Sequence, residues 1–372
     1  MKATFVNYSF AGSVDGFDVK GRQLIGGGEV YLHDLCVVLR DAGWEPSVIQ
    51  GGASEAEFEY DGIPVTQVKS RGRYWFNFEW KSALKASDGW VHLHDANHAF
   101  PLDSGHTATF HGVSWDVPYQ GGGLAQYADW AARYRFFKLL INHAIRNCKA
   151  IVSVDSFLLR YVQSEHPNYR DKITVIPNYV DSQTFKPRPA KRKDGKFVVL
   201  FPRNLTRNRG TYLLLDALKQ LPQKDLEVWF AGTSYGAEAV KKAAEKDGRI
   251  KFLGHLDHYK DMPGVYAESD LVVIPSLGVE GTSLSCLEAM AVGKPVLASN
   301  VGGLLDIITD GRDGFFARPT TDAFAERINE LYADKKSREA VGKNAISRAK
   351  DFSKDKWAAA WREFAEEQGG IQ

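Results

Sequence analysis

"LVVIPSLGVEGTSLSCLEAMAVGKPVLAS", residues 271–299, reads as a complete strand, helix and strand. The β-branched run LVVIP ends at Pro275 as a buried strand does, and PVLAS (295–299) has the same character. Between them Ser283 is a fair N-cap for a helix running to about Val292, which Gly293 stops before Pro295. A helix joining two buried apolar strands is the signature of a parallel sheet. The loop after the first strand carries Glu280, and the helix carries Glu288.

The same alternation extends in both directions. FVVLF (197–201), LEVWFA (226–231) and IKFL (250–253) supply three more strands with helices between them. Upstream, strands are expected near 3–8, 45–49, 90–93, 107–111, 150–154 and 173–176, with helices over 28–42 and 126–147. DSQTFKPRPAKRKDGK (181–196), rich in Pro and Lys, interrupts the pattern and reads as an exposed linker. Two α/β domains follow, over 1–182 and 190–352. The amphipathic segment 353–368, rich in Trp and Phe, is left needing a surface to cover. A length of 372 residues suits two ordinary domains. Open parallel sheets bind ligands beyond the carboxyl ends of their strands, so the natural site is a cleft between the two.

Composition narrows the choice. Hydrophobic residues at 44% and charged residues at 25% are ordinary for a globular chain, and a net charge of +1 gives no general attraction to nucleic acid. Cys36, Cys148 and Cys286 are widely spaced, which argues for a reducing compartment and against a disulfide frame or zinc site. No segment approaches the roughly 18 apolar residues of a membrane span, and a cytoplasmic location is expected.

The motifs lie after strands. Gly26, Gly27 and Gly28 precede a helix, where backbone amides and the helix dipole suit an anion. The pattern is neither G-x-G-x-x-G nor a P-loop, and strand two ends in Ile49-Gln50-Gly51 without a ribose-binding acid, which disfavours a dehydrogenase or NTPase. A simple glycine-closed loop is the alternative. His94 and His111 end two predicted strands, where a hydrogen-bonded structural histidine is the commoner role. FPRNLTRNRG (201–210) places Arg203, Arg207 and Arg209 just before a helix, and guanidinium groups pair well with phosphate oxygens. A solvated basic loop is the competing interpretation.

The opening stretch completes the set. Gly281, Thr282 and Ser283 lead into the helix, whose free amides near Leu284 and Ser285 can meet a phosphate. Glu288 can accept two hydrogen bonds from a ribose, and Glu280 can face the other end of the same ligand. Together these residues suit a sugar joined through diphosphate to a nucleoside.

At these residues the chain resembles a retaining GT-B glycosyltransferase of family 4. The spacing of Glu280 and Glu288, followed by Ala-Met and Gly-Lys-Pro-Val, is similar to that family's signature. VIPNYVD (175–181), FPRNLTRNRG, LASNVGG (297–303) and GRDGFFARP (311–319) fall in the family's order. The resemblance implies two Rossmann-like domains whose parallel sheets face an interdomain cleft, with the last helix crossing back onto the first domain. It implies that Glu288 holds the ribose, Glu280 the donor sugar, and Arg203 the diphosphate, Arg209 standing where lysine is usual. His111 would line the sugar site, Gly27 and Gly28 would lie near phosphates or acceptor, and Gly254 in FLGHL (252–256) would belong to the segment that reads the base. Tyr179 replaces a glycine of the family's "PNGVD" turn, and Thr282-Ser283 replace an aromatic and a glycine, so sugar preference does not carry over.

The expected reaction is transfer of a sugar from a UDP- or GDP-sugar to an acceptor hydroxyl with retained configuration and no cofactor. No Asp-x-Asp cluster or His/Cys ligand set is present, so no metal is expected. On this reading Arg203→Ala and Glu280→Ala each lower turnover about a hundredfold or more without affecting folding. A sugar-nucleotide epimerase of the same architecture, a phosphorylase and a non-catalytic sugar binder are the alternatives. The helix within 127–152 mixes aromatic and basic residues and is able to lie on an anionic membrane, although such helices usually pack on a sheet, so peripheral membrane contact stays open. RYWFNFEW (73–80) is expected to shape an acceptor pocket or to fill the first core. Oligomeric state, donor sugar, base and acceptor are not legible.

Overall fold

The computed structural model describes residues 1–11, 27–85, 88–101, 105–112, 123–278 and 280–369. The chain divides into two compact units. The first comprises Met1–Trp115, Gly121–Ile176 and Trp357–Gln372, and the second Asp116–Gln120 and Pro177–Lys356. The main division at Ile176/Pro177 precedes the boundary expected at 182.

The first unit is built on β1 (Lys2–Val6), β2 (Glu45–Gly52), β3 (Ala56–Tyr60), β4 (Ile63–Lys69), β5 (Trp90–Leu93), β6 (Thr107–Phe110), β7 (Ala150–Ser153) and β8 (Ile173–Val175). Their order is β3-β4-β2-β1-β5-β6-β7-β8. All pairings are parallel except the β3–β4 hairpin. The expected strands are present, but β3 and β4 were not anticipated. No residue of β3 is buried, so it offers no apolar run to read.

The helix Lys354–Gly369 covers this unit. Trp357, Trp361, Phe364 and Ala365 are buried at helical spacing, and Trp361 Nε1 donates to Tyr31 Oη at 2.7 Å. The Trp361 ring also meets His92 edge-on at 5.3 Å. The apolar face left over in the sequence is thus spent on closing the first core.

The second unit is built on β9 (Phe197–Phe201), β10 (Leu226–Ala231), β11 (Ile250–Gly254), β12 (Leu271–Ile274), β13 (Val296–Ser299) and β14 (Phe315–Ala317). The order is β11-β10-β9-β12-β13-β14, all parallel. This is doubly wound topology, and the winding reverses between β9 and β12, where a crevice opens beyond the strand ends. β14 is too short to stand out in sequence.

The supposed linker is partly anchored. Phe185 is buried in the second core, and Arg192 Nη2 donates to Asp270 at 2.8 Å while Glu268 accepts from the amides of Lys191 and Arg192. Cys36, Cys148 and Cys286 are free and buried. Among the described residues no helix is long and apolar enough to cross a membrane.

Candidate active site

The two loops at the winding reversal are pressed together by a glycine. Gly210, at φ +84°, has the Pro275 carbonyl where a side chain would begin: a Cβ would lie 1.9 Å from that oxygen. Leu277 N also donates to Asn208 O at 2.9 Å. The loop after β9 therefore lies flush against the end of β12, and the residues between these contacts meet.

Those residues are Arg203, Arg209, Ser276 and Glu280. The Arg203 guanidinium forks onto Glu280, Nη2 to Oε1 at 2.8 Å and Nη1 to Oε2 at 2.9 Å, and Nη1 also reaches Ser276 Oγ at 2.7 Å. Arg209 Nη1 donates to Glu280 Oε2 at 2.5 Å, and Ser276 Oγ donates to the same oxygen at 2.5 Å. The carboxylate is 3% exposed, Arg203 7% and Arg209 36%. Burial alone would raise the Glu280 pKa; Arg203 and Arg209, with the hydrogen bonds from Arg203 and Ser276, override it and hold it at about 2. Arg203, as a neighbouring like charge, lowers the pKa of Arg209.

The backbone of Glu280 is fixed from the other side. Its carbonyl accepts from Gly303 N at 2.7 Å, and Gly302, at φ +52°, leaves room for that oxygen. The glycines of LASNVGG therefore hold the Glu280 loop.

The helix Leu284–Val292 begins and ends as its sequence implies, with Ser283 before it and Gly293 closing it in the left-handed region. Ser283 supplies the extended backbone of a cap but makes no capping hydrogen bond, and its hydroxyl is buried with no partner among the described residues. Ser285 Oγ donates to Pro202 O at 3.0 Å, tying the first turn to the loop after β9. Asn178 Nδ2 donates to Thr282 O at 2.7 Å, which fixes the approach to the helix. First-turn amides have no partner within a helix, so the start of this one can receive an anion.

Glu288 is buried one and a half turns on. Tyr266 Oη donates to its Oε2 at 2.7 Å, and His258 Nε2 stands 3.5 Å from Oε1. Desolvation raises the Glu288 pKa, while His258 and Tyr266 oppose the rise. Gly254, at φ +71°, ends β11, and its carbonyl accepts from Gly232 N at 2.7 Å.

The remaining candidates belong to the first unit and gather around its own winding reversal, between β1 and β5. Gly27 and Gly28 open the helix Gly27–Asp41 and are exposed. The Gly28 carbonyl accepts from His94 Nε2 at 3.0 Å, so buried His94 anchors the helix start. The ring of His111 lies 4.5 Å from that of His94 and meets Tyr31 edge-on at 5.3 Å, and the desolvation there lowers its pKa.

Sequence reasoning named Arg203, Arg209, Glu280 and Glu288 and missed Ser276, Tyr266, His258 and Asn178. Ser276 had a signal, as the first residue past Pro275 at a strand end. Tyr266 and His258 had none, because their role depends on where the Met262–Glu268 helix packs. Among the described residues no three His, Cys, Asp or Glu side chains cluster as a metal site requires.

Comparison with known proteins agrees with this architecture. The family model "Glycosyl transferases group 1" matches residues 182–348, and "Glycosyltransferase Family 4" matches 25–184. Spore coat protein SA of Bacillus subtilis is 29% identical over 221 residues, covering 52% of this chain and 58% of that protein. The D-inositol 3-phosphate glycosyltransferase of Paenarthrobacter aurescens is 30% identical, covering 51% and 50%. The lipopolysaccharide 1,2-N-acetylglucosaminetransferase of Salmonella typhimurium is 29% identical, covering 59% and 62%. The chain thus spans about half to three-fifths of the length of these relatives. Among solved structures, sucrose-phosphate synthase from Thermosynechococcus elongatus superposes with a TM-score of 0.80 at 19% identity, covering 98% of both chains. The Anabaena protein HepE in complex with UDP-glucose gives 0.73 at 20% identity, covering 99% and 100%. These likenesses establish the GT-B fold class, with two parallel-sheet α/β domains. With both halves of the chain matched in order, the protein belongs to the group 1 glycosyltransferases, family 4.

Proposed function

We propose that this chain transfers a sugar from a nucleoside-diphosphate sugar to an acceptor hydroxyl with retention of configuration. The observation that carries this reading is the charge balance at the winding reversal of the second unit. Two guanidinium groups share one buried carboxylate, leaving a surplus positive charge beside the start of the helix Leu284–Val292. A leaving diphosphate develops negative charge, and fixed cations and helix amides stabilise it in the transition state. Arg209, the more exposed guanidinium, meets the diphosphate, while Arg203 holds Glu280 in place. Glu288 takes the ribose hydroxyls, and Tyr266 orients its carboxylate.

The binding of UDP-glucose by HepE and the sugar transfers named for two of the curated relatives support a nucleotide-sugar donor. UDP- and GDP-sugars are the donors to test. With guanidinium groups to neutralise the diphosphate, turnover is expected to proceed without a divalent cation. A thermal-shift panel of nucleoside diphosphates and their sugars tests the reading. A matching nucleotide far above its dissociation constant stabilises by a few kcal/mol (about 2.7 at a hundredfold excess). Hydrolysis or transfer should then persist in EDTA. A panel in which no nucleotide shifts the melting curve would overturn the proposal.

A further inference from the structure

The two oxygens of the Glu288 carboxylate are not equivalent. Oε2 accepts from Tyr266 Oη at 2.7 Å inside the core. Oε1 has His258 Nε2 3.5 Å away, on a side chain that is 44% exposed where that of Glu288 is 7%. The separation is longer than a hydrogen bond of about 2.7–3.2 Å, so the two atoms are neighbours that do not satisfy each other. Beside a carboxylate the ring carries its proton on Nε2 and so presents a donor. An acceptor and a donor therefore stand side by side at the end of the proposed site.

The donor is held in place. The His258 ring lies against Phe185 at 5.2 Å and meets Tyr259 edge-on at 4.8 Å. Phe185 is itself buried and meets Tyr266 edge-on at 6.0 Å, so one ring supports both neighbours of the Glu288 carboxylate. The main chain around His258 is pinned as well. Asp257 Oδ1 accepts from the amides of Tyr259 and Lys260 at 3.0 and 2.8 Å, and Asp261 Oδ2 accepts from Asp257 N at 2.9 Å. A group fixed before a ligand arrives gives up little freedom on binding it.

We propose that His258 is a specificity residue for the nucleotide: its Nε2–H donates to one of the ribose hydroxyl oxygens that Glu288 holds, so the donor is a ribonucleoside diphosphate sugar and deoxyribonucleoside forms are rejected. The inference rests on the ribose-binding role proposed for Glu288. An ionised carboxylate only accepts, so it takes the protons of two hydroxyls and leaves their lone pairs unmet. The ring N–H beside it supplies the missing donor. A site built to hydrogen-bond a hydroxyl turns away the analogue lacking it, because its own polar groups are then left unpaired. With His258 half in solvent, that discrimination is far smaller than in a sealed pocket, about tenfold.

Titration calorimetry of the full chain with UDP, 2′-deoxy-UDP and 3′-deoxy-UDP, and with the matching guanosine set, tests it. The better ribonucleotide is expected to bind about tenfold or more tightly than either of its deoxy forms. His258→Ala should lower that affinity about tenfold and leave the affinity for one deoxy form within about twofold, because the donor and its hydroxyl are a coupled pair whose losses do not add. His258→Gln keeps an N–H donor and should recover part of the loss. The position is half exposed, so an unchanged melting temperature of the unliganded variants would verify folding. Failure of the unsubstituted chain to bind either ribonucleotide would remove the role of Glu288 and this inference with it. Ribonucleotide binding without discrimination against the deoxy forms, or a His258→Ala variant that weakens all three forms alike or none of them, would overturn the role of His258 alone.

Discussion

Arg203 sits at the centre of a buried ion-pair network, and that changes what its removal does. From sequence alone Arg203→Ala was expected to leave folding intact. With Glu280 nearly inaccessible and forked onto this guanidinium, the substitution strands part of a buried charge. The cost is about 2–3 kcal/mol, below the ~3–5 for stripping a buried ion of its partner outright, because Arg209 and Ser276 remain. Denaturant melts should show this loss alongside a fall of at least about a hundredfold in kcat/KM. Arg203→Lys should recover more stability than activity, since lysine restores the charge and not the fork. Glu288 gives a pH test. In the proposed role its carboxylate accepts two ribose hydroxyls best when ionised, and desolvation raises its pKa above the ordinary 4.5. Nucleotide affinity should therefore weaken on acidification starting at a higher pH than an exposed glutamate would cause. Titration calorimetry of Glu288→Gln should show weaker binding without that acid limb. The chemistry of these acids and arginines was legible because each follows a strand in the linear sequence. Their partners were not, since Tyr266 and His258 reach Glu288 only through packing.

At the level of elements, the strands that bury all or nearly all their residues were the readable ones. FVVLF and LEVWFA were placed to the residue as β9 and β10. The helix holding Glu288 was bounded correctly because Ser283 and Gly293 are local signals that packing did not override. β3 escaped because an exposed edge strand needs no apolar run, and its pairing is set by the neighbour; β4, which buries Ile63, Val65 and Val68, carried a signal that was passed over. Gly210 shows what an element junction requires. Gly210→Ala combines a left-handed backbone with a Cβ aimed into the Pro275 carbonyl, which is main chain and cannot swing aside. The expected loss is about 2 kcal/mol or more, together with lower turnover as the loop bearing Arg209 lifts from Glu280. A Gly210→Ala enzyme with unchanged melting and rate would show that this junction is looser than its contacts imply.

On the scale of the whole molecule, two cores share one chain but not one set of supports. Trp361, fully buried, belongs to the first unit, and Arg203, Glu280 and Glu288, the proposed nucleotide-sugar site, belong to the second. Trp361→Ala removes a large buried ring at about 3–5 kcal/mol, which in a unit of this size lowers the melting midpoint by roughly 10 °C. Calorimetry should show that shift in one transition, while a bound nucleoside diphosphate raises the other. A single transition displaced equally by both would refute independent cores. The return of the C-terminal helix also bears on biosynthesis. The sheet that emerges first from the ribosome lacks its cover until Trp357–Ala365 has been made, some 180 residues after Ile176, or roughly ten to forty seconds at ordinary elongation rates. The half translated second can mature first, and the nascent N-terminal sheet must spend that interval with Tyr31 and His92 uncapped, a window in which a chaperone would find it.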